Sequence, residues 1–205
     1  MPPRIYPPRP VKIDPLAIPA LTEGLRDYAV EAWVGPDASL FCHLFLRDHG
    51  GRLWDVWAHP HDLEPLFEIF ALNVEGRASL EARFPPGTFS DPEGLFTPWP
   101  FQSWRVEALH RQEGVFKLDD DLPTFGDGPI GQGAAEPGSI PDGAEALCEV
   151  GVGLLFTGDN GKRLLIGVDW QPLALLMTSD DARIDAYLAP CVREDLTDYL
   201  RKSAS

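Results

Sequence analysis

Ala146-Leu-Cys-Glu-Val-Gly-Val-Gly-Leu-Leu-Phe-Thr-Gly-Asp-Asn-Gly-Lys-Arg-Leu-Leu-Ile-Gly-Val-Asp-Trp170 reads as two strands around a tight turn. Ala146 to Thr157 and Lys162 to Trp170 are strand-sized and rich in Val, Leu, Ile and Phe. Gly158-Asp-Asn-Gly161 supplies the residue types that tolerate the left-handed backbone of a hairpin turn. Gln171-Pro172 breaks the chain, and Leu173 to Thr178 reads as a third strand. A second hairpin lies upstream. Ser39 to Arg47 alternates, with Leu40, Cys42, Leu44 and Leu46 on one side and Phe41, His43 and Phe45 on the other. Asp48-His-Gly-Gly51 is its turn, and Arg52 to Ala58 returns. Both faces of the first strand are apolar, so cover on both sides is expected. Consecutive hairpins, rather than alternating strand and helix, place the chain in the α+β class. The expected architecture is mainly antiparallel sheet with flanking helices and long irregular Pro/Gly-rich loops.

Helical spacing is read in four places. Pro19 to Val34 puts Leu21, Leu25, Tyr28, Ala29 and Ala32 on one face, with Gly35-Pro36 as the stop. Asp62 caps a second helix to about Val74, with Leu63, Leu66, Phe67, Phe70 and Val74 as its buried stripe. Ser179 or Asp180 caps a third to about Ala189, and Pro190 starts a fourth ending near Lys202, which buries Val192, Leu196, Tyr199 and Leu200. Residues 102–118 read as one or two strands, although Trp104, Ala108 and Leu109 would also fit a short helix. Residues 1–18 are proline-rich and read as an extended surface arm. The remainder, 19–205, reads as one domain, with two lobes at about 19–84 and 95–205 as the alternative.

The chain has 205 residues with 32 acids against 17 bases, a formal charge of −15. That balance argues against nucleic acid, whose phosphates need a basic face, and against anionic membranes. No apolar run approaches the roughly 20 residues of a spanning helix. Met1-Pro-Pro-Arg-Ile-Tyr-Pro-Pro-Arg-Pro10 lacks the apolar core of an export signal. Cys42, Cys148 and Cys191 are widely spaced without CxxC, as expected of free, buried thiols in a reducing compartment. A cytoplasmic location is the expectation. Monomer and homodimer both remain open.

The densest group of metal-type ligands is His59-Pro-His61-Asp62. Alternate residues of a strand project to one side, so His59 and His61 can face one ion, with Trp54 and Trp57 nearby. A site needs three or four ligands, and a polar strand-to-helix turn explains the same residues. Gly126-Asp-Gly-Pro-Ile-Gly131 matches G-x-G-x-x-G, but no strand enters it and no helix leaves it. Cys42 and His43 are neighbours on a strand and point to opposite faces. Asp119-Asp-Asp121 is followed by Leu122 and Pro123, with Thr124 where a calcium loop needs glycine. No cofactor motif is present.

Charge and aromatics carry the leading functional expectation. Residues 119–150 hold eight acids and no base, −8 of the total −15. Leu95-Phe-Thr-Pro-Trp-Pro-Phe-Gln-Ser-Trp104 is rich in side chains that anchor interfaces. Asp119, Asp120, Asp121, Asp127 and Glu136 are expected to steer a basic protein, and Phe96, Trp99 and Trp104 to anchor it. Packing of these aromatics back onto the sheet is the competing expectation. A toxin or nuclease domain is the concrete partner, which would make this an inhibitor or immunity protein. The alternatives are a small metal-dependent hydrolase built on His59, His61 and Asp62, and a small-ligand-binding module with a pocket lined by Trp54, Trp57 and Trp170.

Overall fold

The computed structural model describes residues 4–32, 40–64, 67–76, 88–90, 104–115, 146–169 and 174–203. In chain order the elements are β1 (Arg4–Ile5), β2 (Lys12–Ile13), α1 (Ala17–Glu23), β3 (Leu25–Ala32), β4 (Leu40–Asp48), β5 (Leu53–Glu64) and β6 (Phe67–Gly76). There follow β7 (Trp104–Val115), β8 (Ala146–Gly158), β9 (Arg163–Val168), β10 (Leu175–Thr178), α2 (Asp181–Leu188), β11 (Val192–Asp195) and α3 (Leu196–Ser203). Mostly antiparallel sheet flanked by short helices is the α+β arrangement expected. The strand order is β11-β7-β8-β9-β10-β4-β5-β6-β2, with β1 added to β8 and β3 to β4.

Both hairpins form where the sequence places them. In β4–β5, His43 pairs with Trp57 and Leu46 with Trp54; in β8–β9, Gly153 pairs with Gly167 and Phe156 with Leu164. Gly51 and Gly161 take φ of 82° and 77° in the two turns, the region glycine occupies at least cost. Asp48 locks its turn: one carboxylate oxygen accepts from Arg52 N at 2.9 Å and the other from Trp54 Nε1 at 3.3 Å.

Three helix expectations are corrected. The first helix stops at Glu23, because Gly24 adopts φ 126° and turns the chain into β3, which pairs along the edge of β4 from Leu25 to Ala32. A seven-residue helix is marginal alone, whereas β3 gains a ladder partner over its whole length. The second expected helix is absent. β5 runs on through Pro60 to Glu64, and β6 returns against it, with His59 opposite Ala71 and His61 opposite Ile69. Leu72 and Val74 are buried on one face and Ile69, Ala71 and Asn73 on the other, so a strand covered on both sides imitated a helical stripe. The fourth helix begins at Leu196 only. Val192 to Asp195 form β11 on β7 instead, and Val192 is 44% exposed. The third helix is as read, capped by Asp180, whose side chain accepts from Arg183 N.

The arm also departs from expectation. It is extended, but Tyr6, Val11 and Ile13 are buried. β1 pairs in parallel with Ala146 and Leu147, Arg9 bridges to Val150, and β2 pairs in parallel with Asn73 and Val74 of β6. The arm thus leaves the β8 edge and joins β6, completing a circuit of pairings β8-β9-β10-β4-β5-β6-arm. Leu44, Leu46, Val56, Leu72, Val74, Phe156, Leu164 and Ile166 fill its interior, each at most 1% exposed. Each such side chain contributes about 1.5–3 kcal/mol by burial. α2 covers the outer face of β8 and β9 through Ile184, with Leu109, Val152, Leu155 and Leu165 beneath it.

Tyr199 of α3 pins the arm, its hydroxyl accepting from Val11 N at 2.9 Å. Tyr199→Phe leaves that buried N–H unpaired, which costs about 1–3 kcal/mol. The expected result is a lower thermal midpoint and faster amide exchange at Val11, with the β8–β9 hairpin unchanged.

Candidate functional site

Where the arm crosses from β8 to β6 it walls a cleft of about 430 Å³. The arm contributes Pro8, Arg9, Pro10, Val11, Lys12 and Ile13, β5 contributes His59 and His61, and β6 contributes Ala71, Leu72 and Asn73, with Ile18 and Leu200 at the ends. His59 and His61 do share a face, as strand alternation requires, and their rings meet edge-on with centroids 4.9 Å apart. Their expected place at a strand-to-helix turn is replaced by a place within the β5–β6 ladder. The Asp62 side chain lies outside the described residues. Among those described, no three His, Cys, Asp or Glu side chains gather to hold a metal.

Polar atoms in the cleft wall are unusually bare. Asn73 is 2% exposed; its Nδ2 donates to Glu75 at 3.5 Å, and its Oδ1 is buried without a partner among the described residues. The same holds for Arg9 Nε. Lys12 has Glu75 at 3.6 Å. Burial, and then the positive charges of His59, Arg9 and Lys12, hold the His61 imidazole below its ordinary value.

The sign of the pH effect follows from that depression. The unfolded chain takes up the His61 proton first as pH falls, so stability declines from about pH 6.5 downward, toward the folded-state value. His61→Gln removes that contribution. Its thermal midpoint should fall less than wild type between pH 7.5 and pH 5.5, and an equal fall would contradict the assignment.

A second polar group lies on the outer face of β4 and β5. His43 Nδ1 is 2.9 Å from an oxygen of buried Asp55, and the ring stacks against Phe45 and Trp57. Trp54, one strand residue out of phase with Trp57, is core at 2% exposure. The two therefore do not line one pocket, and Trp170 lies outside the described residues. Burial pushes the Cys148 and Cys191 thiols up to about 11 and raises Cys42 as well, which lowers their thiolate fraction at neutral pH. All three are free, with Cys42 only half-buried.

Of the residues expected to bind a partner, Asp119, Asp120, Asp121, Asp127, Glu136, Phe96 and Trp99 lie outside the described residues. Trp104 opens β7 in the core, 5% exposed and edge-on to Phe156 at 5.6 Å. It follows the packing alternative and presents no surface anchor. The sequence reading missed Arg9, Lys12 and Asn73, having placed the first two on a surface arm and the third in a helix. Comparison with family models, with curated proteins and with solved structures finds no match to this chain. No helix among the described residues is long and apolar enough to cross a membrane.

Proposed function

We propose that the protein is a binding module that takes a small ligand in the cleft under its N-terminal arm. The observation that supports this reading is that Arg9 and Asn73 both line one cleft and each carries a buried polar atom, Nε and Oδ1, without a partner among the described residues. Buried polar groups in native proteins are nearly always paired, so two such residues beside one cavity of ligand size point to a ligand that enters it and draws their polar atoms toward it. The test is a fragment library read by the ring resonances of the five histidines, which are His43, His49, His59, His61 and His110. Binding should move His59 and His61 together and leave His49, in the β4–β5 turn, in place. Hits that move only His43, or none at all, would contradict the reading.

Local charge favours a second reading, a basic protein partner such as a toxin or nuclease domain. Val115 and Ala146 pair as the last rung of β7–β8, so the acidic segment leaves and re-enters at one point of the sheet. The segment holding Phe96 and Trp99 joins at Trp104, the opposite end of β7, roughly 36 Å away at 3.3 Å per residue. Asp119, Asp120 and Asp121 changed together to Asn should slow association with a basic partner and flatten its salt dependence. An unchanged rate and salt dependence would remove the electrostatic part. The metal hydrolase alternative remains a proposal that a third ligand must support.

A further inference from the structure

The cleft gathers basic groups in a chain whose formal charge is −15. Arg9 and Lys12 reach it from the arm and His59 and His61 from β5. His61 feels the charges of the other three. Among the described residues, Glu75 pairs with Lys12 and accepts from Asn73. No ion pair to Arg9 forms among the described residues, and its Nε–H is buried without an acceptor.

These features select a ligand chemistry. A guanidinium and an ammonium beside two imidazoles repel a divalent cation and attract an anion. A carboxylate brings one charge and two oxygens; a phosphomonoester brings nearly two charges and three oxygens, a closer match to four basic groups. Asn73 Oδ1 is an acceptor and needs an N–H or O–H, which a fully ionised phosphate group does not supply. Pro8, Pro10, Ile18, Ala71 and Leu200 give the cleft an apolar side for an organic body.

Resting on the reading of the cleft as a ligand site, we propose that its ligand is a small phosphomonoester with a hydroxyl or amine donor. Arg9 and Lys12 hold the phosphate oxygens, the His59 and His61 rings flank them, and Asn73 accepts from the organic part. No bond is made or broken. The site recognises and retains its ligand.

Ribose 5-phosphate and ribose serve as matched probes, titrated by calorimetry and by histidine ring resonances at about pH 6 and pH 8. Ribose 5-phosphate should shift His59 and His61 and raise the His61 pKa, and ribose should do neither. Arg9→Gln should weaken it about tenfold or more, and Lys12→Gln severalfold. Unchanged thermal midpoints of both variants would show that the fold is intact, and Lys12, which is exposed, keeps the test sound if the arginine variant is destabilised. Equal binding of ribose and its phosphate, or full affinity in both folded variants, would overturn the anion proposal and leave the cleft as a ligand site. Failure of ribose 5-phosphate, inorganic phosphate and sulfate alike would overturn it too. The ligand reading itself falls only if the fragment screen is also silent at His59 and His61.

Discussion

Gly151→Ala should detach the arm from the sheet. A methyl group at that position would stand 2.1 Å from Val11 N and 2.7 Å from the Pro10 carbonyl carbon. Both are backbone atoms held on both sides, so no side-chain rotation relieves the clash. The arm must move. Its bonds from Arg9 N to Glu149 O and from Gly151 N to Arg9 O, each 2.7 Å, would be lost with it. So would the burial of Tyr6, Val11 and Ile13. A loss of about 3–5 kcal/mol is expected, the upper range for a single substitution in a packed structure. Thermal unfolding measures it, and trypsin reports its origin by cutting after Lys12 in the variant well before it does so in the parent. The cleft would go as well, because the arm is one of its walls, and the His61 pKa would rise toward the ordinary histidine value. A variant as stable as the parent, with Lys12 equally resistant, would mean the arm does not cross β8 at Gly151.

Gly167→Ala should lift α2 from the opposite face. The added methyl group would lie 2.5 Å from Tyr187 Oη and 2.6 Å from its Cζ. That hydroxyl sits between the Val152 and Val168 carbonyls at 2.8 and 2.9 Å, tying the helix to both strands of the hairpin. Displacing the ring breaks the tie and opens the layer beneath Ile184. The combined cost is about 2–4 kcal/mol. Cys191 provides a direct readout. Its thiol is buried and pushed up to about 11, so it should resist a thiol reagent at neutral pH in the parent and react in the variant. A double-mutant cycle with Tyr187→Ala isolates the contact: once the ring is gone, the glycine substitution should cost little more. Full additivity would place the strain elsewhere.

The two hairpins were legible because each carries a turn signal between apolar runs of strand length, at 48–51 and 158–161. Their register follows from the turns, and with it the shared face of His59 and His61. The segment 25–32 was misread because the helix ends at Gly24, ahead of the Gly35-Pro36 stop, and the segment 67–76 because both of its faces are covered. A strand buried on both faces loses its alternation, and residues such as Phe67, Phe70 and Val74 then fit a 3.6-residue period by chance. The arm was legible as extended but not as structural. Its pairings are two-residue parallel contacts with strands some sixty to one hundred and forty positions away in sequence, and nothing local encodes them. The site followed the same division. His59 and His61 could be found from an i, i+2 spacing, whereas Arg9, Lys12 and Asn73 join them only through the crossing of the arm.

Amide hydrogen exchange at Arg9, Val11 and Gly151 tests most directly whether the arm closes the sheet and builds the cleft. Their N–H groups donate to Glu149 O, Tyr199 Oη and Arg9 O respectively. If the arm is an integral strand, all three should exchange as slowly as Leu154 and Leu165 in the β8–β9 hairpin, and Gly151→Ala should abolish the protection at residues 9, 11 and 151 while Leu154 and Leu165 stay protected. Exchange of Arg9 and Val11 at the rate of an unstructured peptide in the parent protein would contradict the closed circuit, and with it the cleft.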